Sequence, residues 1–227
     1  MPKLLFILSS HSELGNTGKK TGYWLSELAH PYHELQNSCQ IDFATPNGGS
    51  PPLDPGSVAA SNDEVSIAFA ADKEIQSKLL NSLCLQDVKA SDYDGVVYPG
   101  GHSPMWGLAN NKESHDIARD IYENGGVVAA VCHGPAALVN VKLTNGAYLV
   151  AGKKVTAFTN TEEDAVGLTA VVPFLLEDHM KNNGAVFERA ADWNVHVCVD
   201  GNLVTAQNPA SAAQMGKAVL EILSRKV

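Results

Sequence analysis

The chain has 227 residues, enough for one large α/β domain with a sizeable core, and no low-complexity linker or charge run divides it. Its net charge of −9 argues against a nucleic-acid or anionic-membrane surface, because both depend on clustered Lys and Arg. Four cysteines stand scattered at 39, 84, 132 and 198 with no C-x-x-C pair, which fits reduced thiols in a cytoplasmic protein better than a zinc ribbon or a redox dithiol.

In chain order, Met1 to Leu8 reads as a buried first strand, too short for the apolar region of a signal peptide. Lys20 to Leu35 carries Tyr23, Trp24, Leu28 and Tyr32 or Leu35 at helical spacing, with Pro31 expected to kink or divide the helix. Gln40 to Thr45 predicts a second strand, Pro46 to Gly56 a long turn-rich loop, and Ile75 to Leu85 another helix. Tyr93 to Tyr98 predicts a strand opening into Pro99-Gly100-Gly101-His102, followed by a helix over 112–124. Next come the apolar run 127–131 with a helix after it, a strand over 154–158 and helical material near 162–182. Short strands around 185–189, 195–199 and 203–206 and a helix from Pro209 close the chain. The alternation predicts a mostly parallel sheet covered by helices on both faces. Ligands bind at the carboxyl ends of such strands, so Ser9-Ser10-His11, Gly100-Gly101-His102 and Cys132-His133 are expected to converge on one site.

Val127-Val128-Ala129-Ala130-Val131-Cys132-His133-Gly134-Pro135 is the most informative stretch, a buried strand that delivers one thiol into a sharp turn. Small residues two before and two after, Ala130 and Gly134, are what a nucleophile elbow demands, because the turn brings backbone and neighbours into close approach. A helix N-terminus there favours thiolate over thiol, so Cys132 is read as a nucleophile rather than as a small buried hydrophobe. His133 is the nearest candidate base, provided the backbone bends it back over the site. Gly100-Gly101 offers N–H groups for a developing oxyanion, where close backbone approach needs residues without side chains. Glu27 reads on composition alone as a solvated helix residue. Tyr98, Trp106 and Trp193 are aromatic candidates for a pocket wall, although strand-end aromatics belong more often to cores.

Other features carry less. Gly15-Asn16-Thr17-Gly18-Lys19-Lys20-Thr21 hints at a phosphate loop, but Glu13 stands where the first Gly belongs and Lys20 where the Ser/Thr belongs. His30 and His33 with Glu34 suggest a metal only weakly, since Pro31 spoils simple helix spacing, and no metal or cofactor is expected. Cys39, Cys84 and Cys198 lie in or beside apolar runs and read as packing residues.

Ala129-Ala130-Val131-Cys132-His133-Gly134-Pro135, with Gly100-Gly101-His102 before it and Asn208-Pro209-Ala210-Ser211-Ala212 after it, resembles the ThiJ/PfpI superfamily. More narrowly, it resembles the branch of heat-shock chaperones and glutathione-independent glyoxalases. The resemblance runs from the first strand to the last helix and implies a single domain over 1–227. Its fold would be a flavodoxin-like, class I glutamine-amidotransferase-like α/β sandwich with a mostly parallel central sheet, usually homodimeric. In that branch a segment like Lys20 to Pro31 carries the glutamate that faces the cysteine, which places Glu27 there. The stretch Ala157 to Asp164 resembles the one that supplies an acidic partner to the histidine, assigned to Glu163 with Glu162 as the alternative. Departures in His102 to Trp106 and in the loop 46–70 would shape the pocket, together with Gly101 and Trp193. The implied activity is conversion of methylglyoxal, a small 2-oxoaldehyde, to D-lactate without glutathione. The rivals are a cysteine peptidase or amidase and a stress-induced holding chaperone or oxidation sensor. A glutamine amidotransferase fits less well, since its His-x-Glu pair is missing at His179-Met180-Lys181.

Overall fold

The computed structural model describes residues 1–225. The principal sheet contains β1 (Lys3–Ile7), β2 (Gln40–Thr45), β3 (Leu83–Cys84), β4 (Gly95–Tyr98), β5 (Val127–Val131), β8 (Val197–Asp200) and β9 (Leu203–Ala206). They lie in the order β3-β2-β1-β4-β5-β9-β8, and every pairing is parallel except the edge pair β8–β9. A separate parallel pair, β6 (Lys154–Val155) and β7 (Val186–Phe187), flanks that edge. This is the α/β sandwich that the alternating elements imply. The chain reverses direction of growth between β1 and β4, so carboxyl ends of the central strands open on one crevice.

Burial on both faces explains why β1 and β5 read as unbroken apolar runs rather than as alternating ones. Leu4 and Phe6 point to the face covered by α1 (Leu25–Leu35) and α9 (Ala212–Ser224), among Leu28, Met215 and Val219. Leu5 and Ile7 point to the other face, covered by α6 (Lys112–Glu123) through Ile117 and Ile121. Each such fully buried side chain contributes about 1.5–3 kcal/mol relative to exposure.

Several expected elements differ. Pro31 does not divide α1, which starts after Trp24 and runs through to Leu35. α9 packs against this stretch: a Cβ on Gly216 would lie 3.0 Å from both Pro31 Cα and Glu34 Cβ, so helix packing supports a segment that the proline leaves one hydrogen bond short. The turn-rich segment after Pro46 gives way to two short helices, α2 (Pro55–Ala60) and α3 (Glu64–Ala71), and the helix expected over 75–85 is α4 (Lys73–Leu80), which ends early because Leu83–Cys84 extends as β3 beside β2. Each begins at an aspartate cap, Asp54, Asp63 and Asp72, whose carboxylate accepts from backbone N–H groups of its first turn. The helix expected after the elbow is a single 3₁₀ turn over Gly134–Ala137. The strand expected over 154–158 shortens to β6, and the helical material splits into α7 (Asn160–Ala165) and α8 (Leu176–Asn182). No helix among the described residues is long and apolar enough to cross a membrane.

Candidate active site

Cys132 ends β5 with φ +60°, a left-handed conformation that a β-carbon makes costly, on the order of 1–3 kcal/mol. The strand network holds it there: its N–H donates to the Ala206 carbonyl (2.9 Å), and its carbonyl accepts from Phe158 N–H (2.9 Å). Gly134 is the residue the turn requires, since a Cβ there would overlap the Tyr98 carbonyl. The strained turn lifts the thiol out of the sheet, and the same turn folds His133 back beside it.

His133 Nδ1 lies 3.4 Å from Cys132 Sγ, and His133 Nε2 lies 2.6 Å from Glu163 Oε2. The other Glu163 oxygen, Oε1, lies 2.8 Å from Nε2 of His102. Burial opposes ionisation of Glu163, but the His133 and His102 imidazoles outweigh it and hold the carboxyl down at about 2. Burial lowers His133 to about 4, with His102 adding to the effect, so the ring is neutral near pH 7. An ionised Glu163 accepts the Nε2–H of that neutral ring, which leaves the Nδ1 lone pair directed at the thiol.

Glu162 does something else. It caps α7 through Thr159 and accepts from Trp193 N–H (2.9 Å) and Asn208 Nδ2 (2.9 Å). It therefore pins the Trp193 segment and the Asn208-Pro209 turn to α7, while Glu163, one residue on, reaches His133.

Glu27 is fully buried on α1, not solvated. Gly100 N–H donates to its Oε2 (3.1 Å), the carboxyl packs against Cys132, and Oε1 has no hydrogen-bond partner among the described residues. A Cβ on Gly100 would overlap Glu27 Oε2 and sit 2.9 Å from Cys132 Cβ, so this glycine is what lets carboxyl and elbow share the space. Burial raises Glu27 to about 8, so it carries a proton near neutrality. The Cys132 thiol is pushed well up by burial and by the Glu27, Glu162 and Glu163 carboxylates. The dipole of one 3₁₀ turn is too small to reverse that, contrary to the thiolate expected from a helix N-terminus. Protonation of Glu27 removes one repulsive charge and supplies a donor to the sulfur, the neutral-carboxylic-acid device of buried acid pairs.

These groups line a small cleft of about 80 Å³ bounded by Trp24, Glu27, Gly101, His102, Cys132, His133, Phe158, Val166, Trp193 and Pro209. Larger hollows near Ile41–Phe43 and Gly125–Gly126 share no residue with this cleft. Gly101 and His102 reach the cleft, and the N–H groups of Gly101 and His133 remain for an oxyanion because that of Gly100 is committed to Glu27. Trp193 forms one lip at φ +65°, edge-on to Phe158. Trp106 does not line the cleft; it stacks on His11 at 5.4 Å. Tyr98 is fully buried and bonded to the Ser114 carbonyl. The Ser9–His11 loop also stays out, because Ser9 and His11 bond to Ser103 beneath α5 (Pro104–Gly107). Two of the three expected loops therefore meet, joined by α1 and the 158–166 segment. Trp24, Phe158, Val166 and Pro209 escaped the sequence reading, since no spacing links walls drawn from four separate segments. Among ligating groups here, the facing atoms of His102, His133 and Glu163 lie within 4.8 Å of one another, but Glu163 already spends an oxygen on each ring.

A strained cysteine at the end of a central parallel strand, backed by a histidine–carboxylate pair, defines a cysteine-elbow α/β sandwich. The DJ-1/PfpI family model matches residues 20–222, and the chain belongs to that family. It is 33% identical to the glutathione-independent glyoxalase HSP31 of Saccharomyces cerevisiae, covering 92% of this chain and 93% of that one. The crystal structure of glyoxalase III from Candida albicans superposes with a TM-score of 0.90 at 31% identity, over 97% of each chain. The Rapid Encystment Protein 24 kDa of Francisella tularensis superposes with a TM-score of 0.94 at 43% identity, over 98% of this chain and 99% of the other.

Proposed function

We propose that this protein is a glutathione-independent glyoxalase that converts methylglyoxal and water to D-lactate with Cys132 as nucleophile. The observation that carries the reading is Glu27: a fully buried carboxyl, kept protonated near neutrality by that burial, with one oxygen fixed by Gly100 and the group packed against Cys132 in a cleft of about 80 Å³. Relatives covering nearly the whole chain are named glyoxalases, which supports the same activity.

The steps follow from these groups. Sulfur attacks the aldehyde carbon C1 as its proton passes to His133 Nδ1, and Glu163 stabilises the imidazolium that forms. The new alkoxide, held by the Gly101 and His133 N–H groups, takes the Glu27 proton to give a hemithioacetal. The Glu27 carboxylate then removes the C1 hydrogen, the electron pair forms C1=C2, and the ketone oxygen takes the proton from His133. Glu27 returns its proton to C2 while the C1 hydroxyl proton goes back to His133, leaving the lactoyl thioester. One carboxyl serving both carbons from one face yields a single enantiomer. Water attacks C1, giving a proton to Glu27; the C–S bond breaks, and sulfur recovers its proton from His133. Turnover ends with neutral Cys132, His133 and Glu27, as it began.

The test is lactate formation from methylglyoxal by purified protein without glutathione, resolved with D- and L-specific lactate dehydrogenases. D-lactate formed by wild type and absent with Cys132→Ala supports the reading; a wild type that forms none overturns it. A peptidase needs an open groove, and cleavage of peptide substrates in place of aldehyde turnover would assign the elbow to that chemistry.

A further inference from the structure

A second cluster of chemistry-bearing side chains lies about the far edge of the sheet and takes no part in the reaction above. His196 and Cys198 stand two residues apart, so both side chains share one face of the extended edge segment that includes β8. Glu188, just past β7, approaches the same point from the small flanking sheet, and the facing atoms of all three lie within 4.8 Å of one another. We propose that Glu188, His196 and Cys198 form a zinc site, binding Zn²⁺ through one oxygen, one nitrogen and one thiolate with a fourth position open to water.

Distances support a tetrahedral ion. Zn–S of about 2.3 Å and Zn–N or Zn–O of about 2.0–2.1 Å at tetrahedral angles place the sulfur about 3.5–3.6 Å from each of the other two ligands. Cys198 Sγ lies 3.5 Å from His196 Nε2 and 3.9 Å from Glu188 Oε2, so both edges from the sulfur are within a few tenths of an ångström of those of a tetrahedral site. A thiolate–imidazole–carboxylate set is a zinc set; Mg²⁺ and Ca²⁺ take oxygen donors.

The surrounding contacts orient each ligand. Lys154 Nζ holds Glu188 Oε1 at 3.1 Å and leaves Oε2 turned towards the sulfur. Glu188 N–H donates to the Val155 carbonyl (2.8 Å), fixing the residue in the small sheet. The His196 backbone is tied on both sides, its N–H to Ser211 Oγ (3.0 Å) and its carbonyl to Gln207 N–H (3.0 Å). Lys154 N–H to Asp200 (3.0 Å) and Thr156 N–H to Thr205 Oγ1 (2.8 Å) join the small sheet to β8 and β9. Such outer contacts are what lower the cost of assembling a metal site. Cys198 is buried while Glu188 is about two-fifths exposed, which leaves a route for the ion past the carboxylate. On binding, the S–H bond breaks, Zn–S forms, and one proton leaves to solvent with no change in oxidation state.

The experiment titrates reduced, metal-stripped protein with Zn²⁺ by calorimetry and, in parallel, with Co²⁺, whose thiolate charge-transfer and tetrahedral d–d bands report the ligand set. Wild type, Cys132→Ser, Cys198→Ser and His196→Gln are compared, each checked for folding by circular dichroism. The expected result is one equivalent of Zn²⁺ bound by wild type and by Cys132→Ser alike. In Cys198→Ser the thiolate band disappears and affinity falls about 100-fold or more, and His196→Gln retains the band but weakens binding. A band that survives Cys198→Ser or vanishes in Cys132→Ser places the metal at the elbow and overturns the proposal, as does wild type that binds no Zn²⁺ in the micromolar range. If Cys198→Ser does not fold, unweakened binding by both His196→Gln and Glu188→Gln is the overturning result.

Discussion

Two clusters in this chain join a cysteine, a histidine and a glutamate, and their geometries separate two kinds of chemistry. At the elbow the three form a relay: sulfur to Nδ1 at 3.4 Å, then Nε2 to carboxylate at 2.6 Å, with the ring between the ends. At the sheet edge the sulfur faces both the imidazole and the carboxylate, at 3.5 and 3.9 Å, so the three atoms converge on one point. A relay moves a proton along a line, whereas convergence suits an ion at the centre. Backbone differs too: Cys132 is strained at φ +60°, while Cys198 sits in an ordinary antiparallel edge strand. Burial also raises the Cys198 thiol, to about 12, so a raised thiol alone does not mark the nucleophile. What marks it is Glu27, the protonated acid that Cys198 lacks.

The largest expected effect breaks the two clusters apart. Cys132→Ala should reduce methylglyoxal turnover to background, and Cys198→Ala should leave kcat/KM within about twofold, because no group of the edge cluster lines the cleft. Comparable losses in both variants would show that the edge cluster contributes to the reaction.

Glu27→Gln keeps size and the Gly100 hydrogen bond but removes the movable proton, so kcat should fall about 10²–10⁴-fold. Stability should move the other way. The folded-state carboxyl titrates at about 8 against an ordinary 4.5, so between those values the native chain holds a proton that the unfolded chain has released. Stability from this group is full below about pH 4.5 and is lost as pH rises through about 8. At about 1.4 kcal/mol per unit, the loss at pH 7 is roughly 3 kcal/mol. Urea unfolding from pH 4.5 to 8.5 should show a falling wild-type stability and a flatter line for Glu27→Gln. Parallel lines would mean that Glu27 is ionised in the folded protein.

Glu163→Gln tests the relay's far end. The amide cannot stabilise an imidazolium at His133, so kcat should drop about 10²-fold or more with little change in KM. The rate should also fall in wild type as pH drops through about 4, where His133 gains a proton and can no longer accept one from the thiol. A rate that stays level through pH 4 would remove His133 from the role of base.

How much of this was legible depends on whether the signal was local. The elbow was, because β-branched and small apolar residues, one cysteine and Gly134-Pro135 occupy a single stretch. The central strands were as well, since burial on both faces leaves continuous apolar runs, but β3 was not, because it lies at the end of the helix read over 75–85. The helices α2 and α3 were not recognised inside a segment dense in Pro, Gly and Ser, although Asp54-Pro55 and Asp63-Glu64 are cap-and-first-turn pairs that would have located them. Glu27 came from family resemblance alone: composition pointed to solvent, and only the crossing of α1 over the Gly100 turn buries it. Trp106 went the other way, drawn off the cleft by a stack with His11 that no spacing announces.

The smallest expected effect concerns Trp193, which belongs to the segment between Glu188 and His196 yet forms a lip of the catalytic cleft. Its left-handed backbone is one that glycine adopts freely, and its N–H bond to Glu162 survives any side-chain change. Trp193→Gly therefore removes the ring without removing the turn, and relief of strain, about 1 kcal/mol, offsets part of the lost packing on Phe158. With Cys132, His133 and Glu27 untouched, KM for methylglyoxal should rise about tenfold, ~1.4 kcal/mol, while kcat stays within about twofold. A matching fall in kcat would mean that the lip positions the reacting carbons. In that case a Zn²⁺ ion clamping Glu188 to His196 on either side of it would alter turnover as well, and the two clusters would act as one.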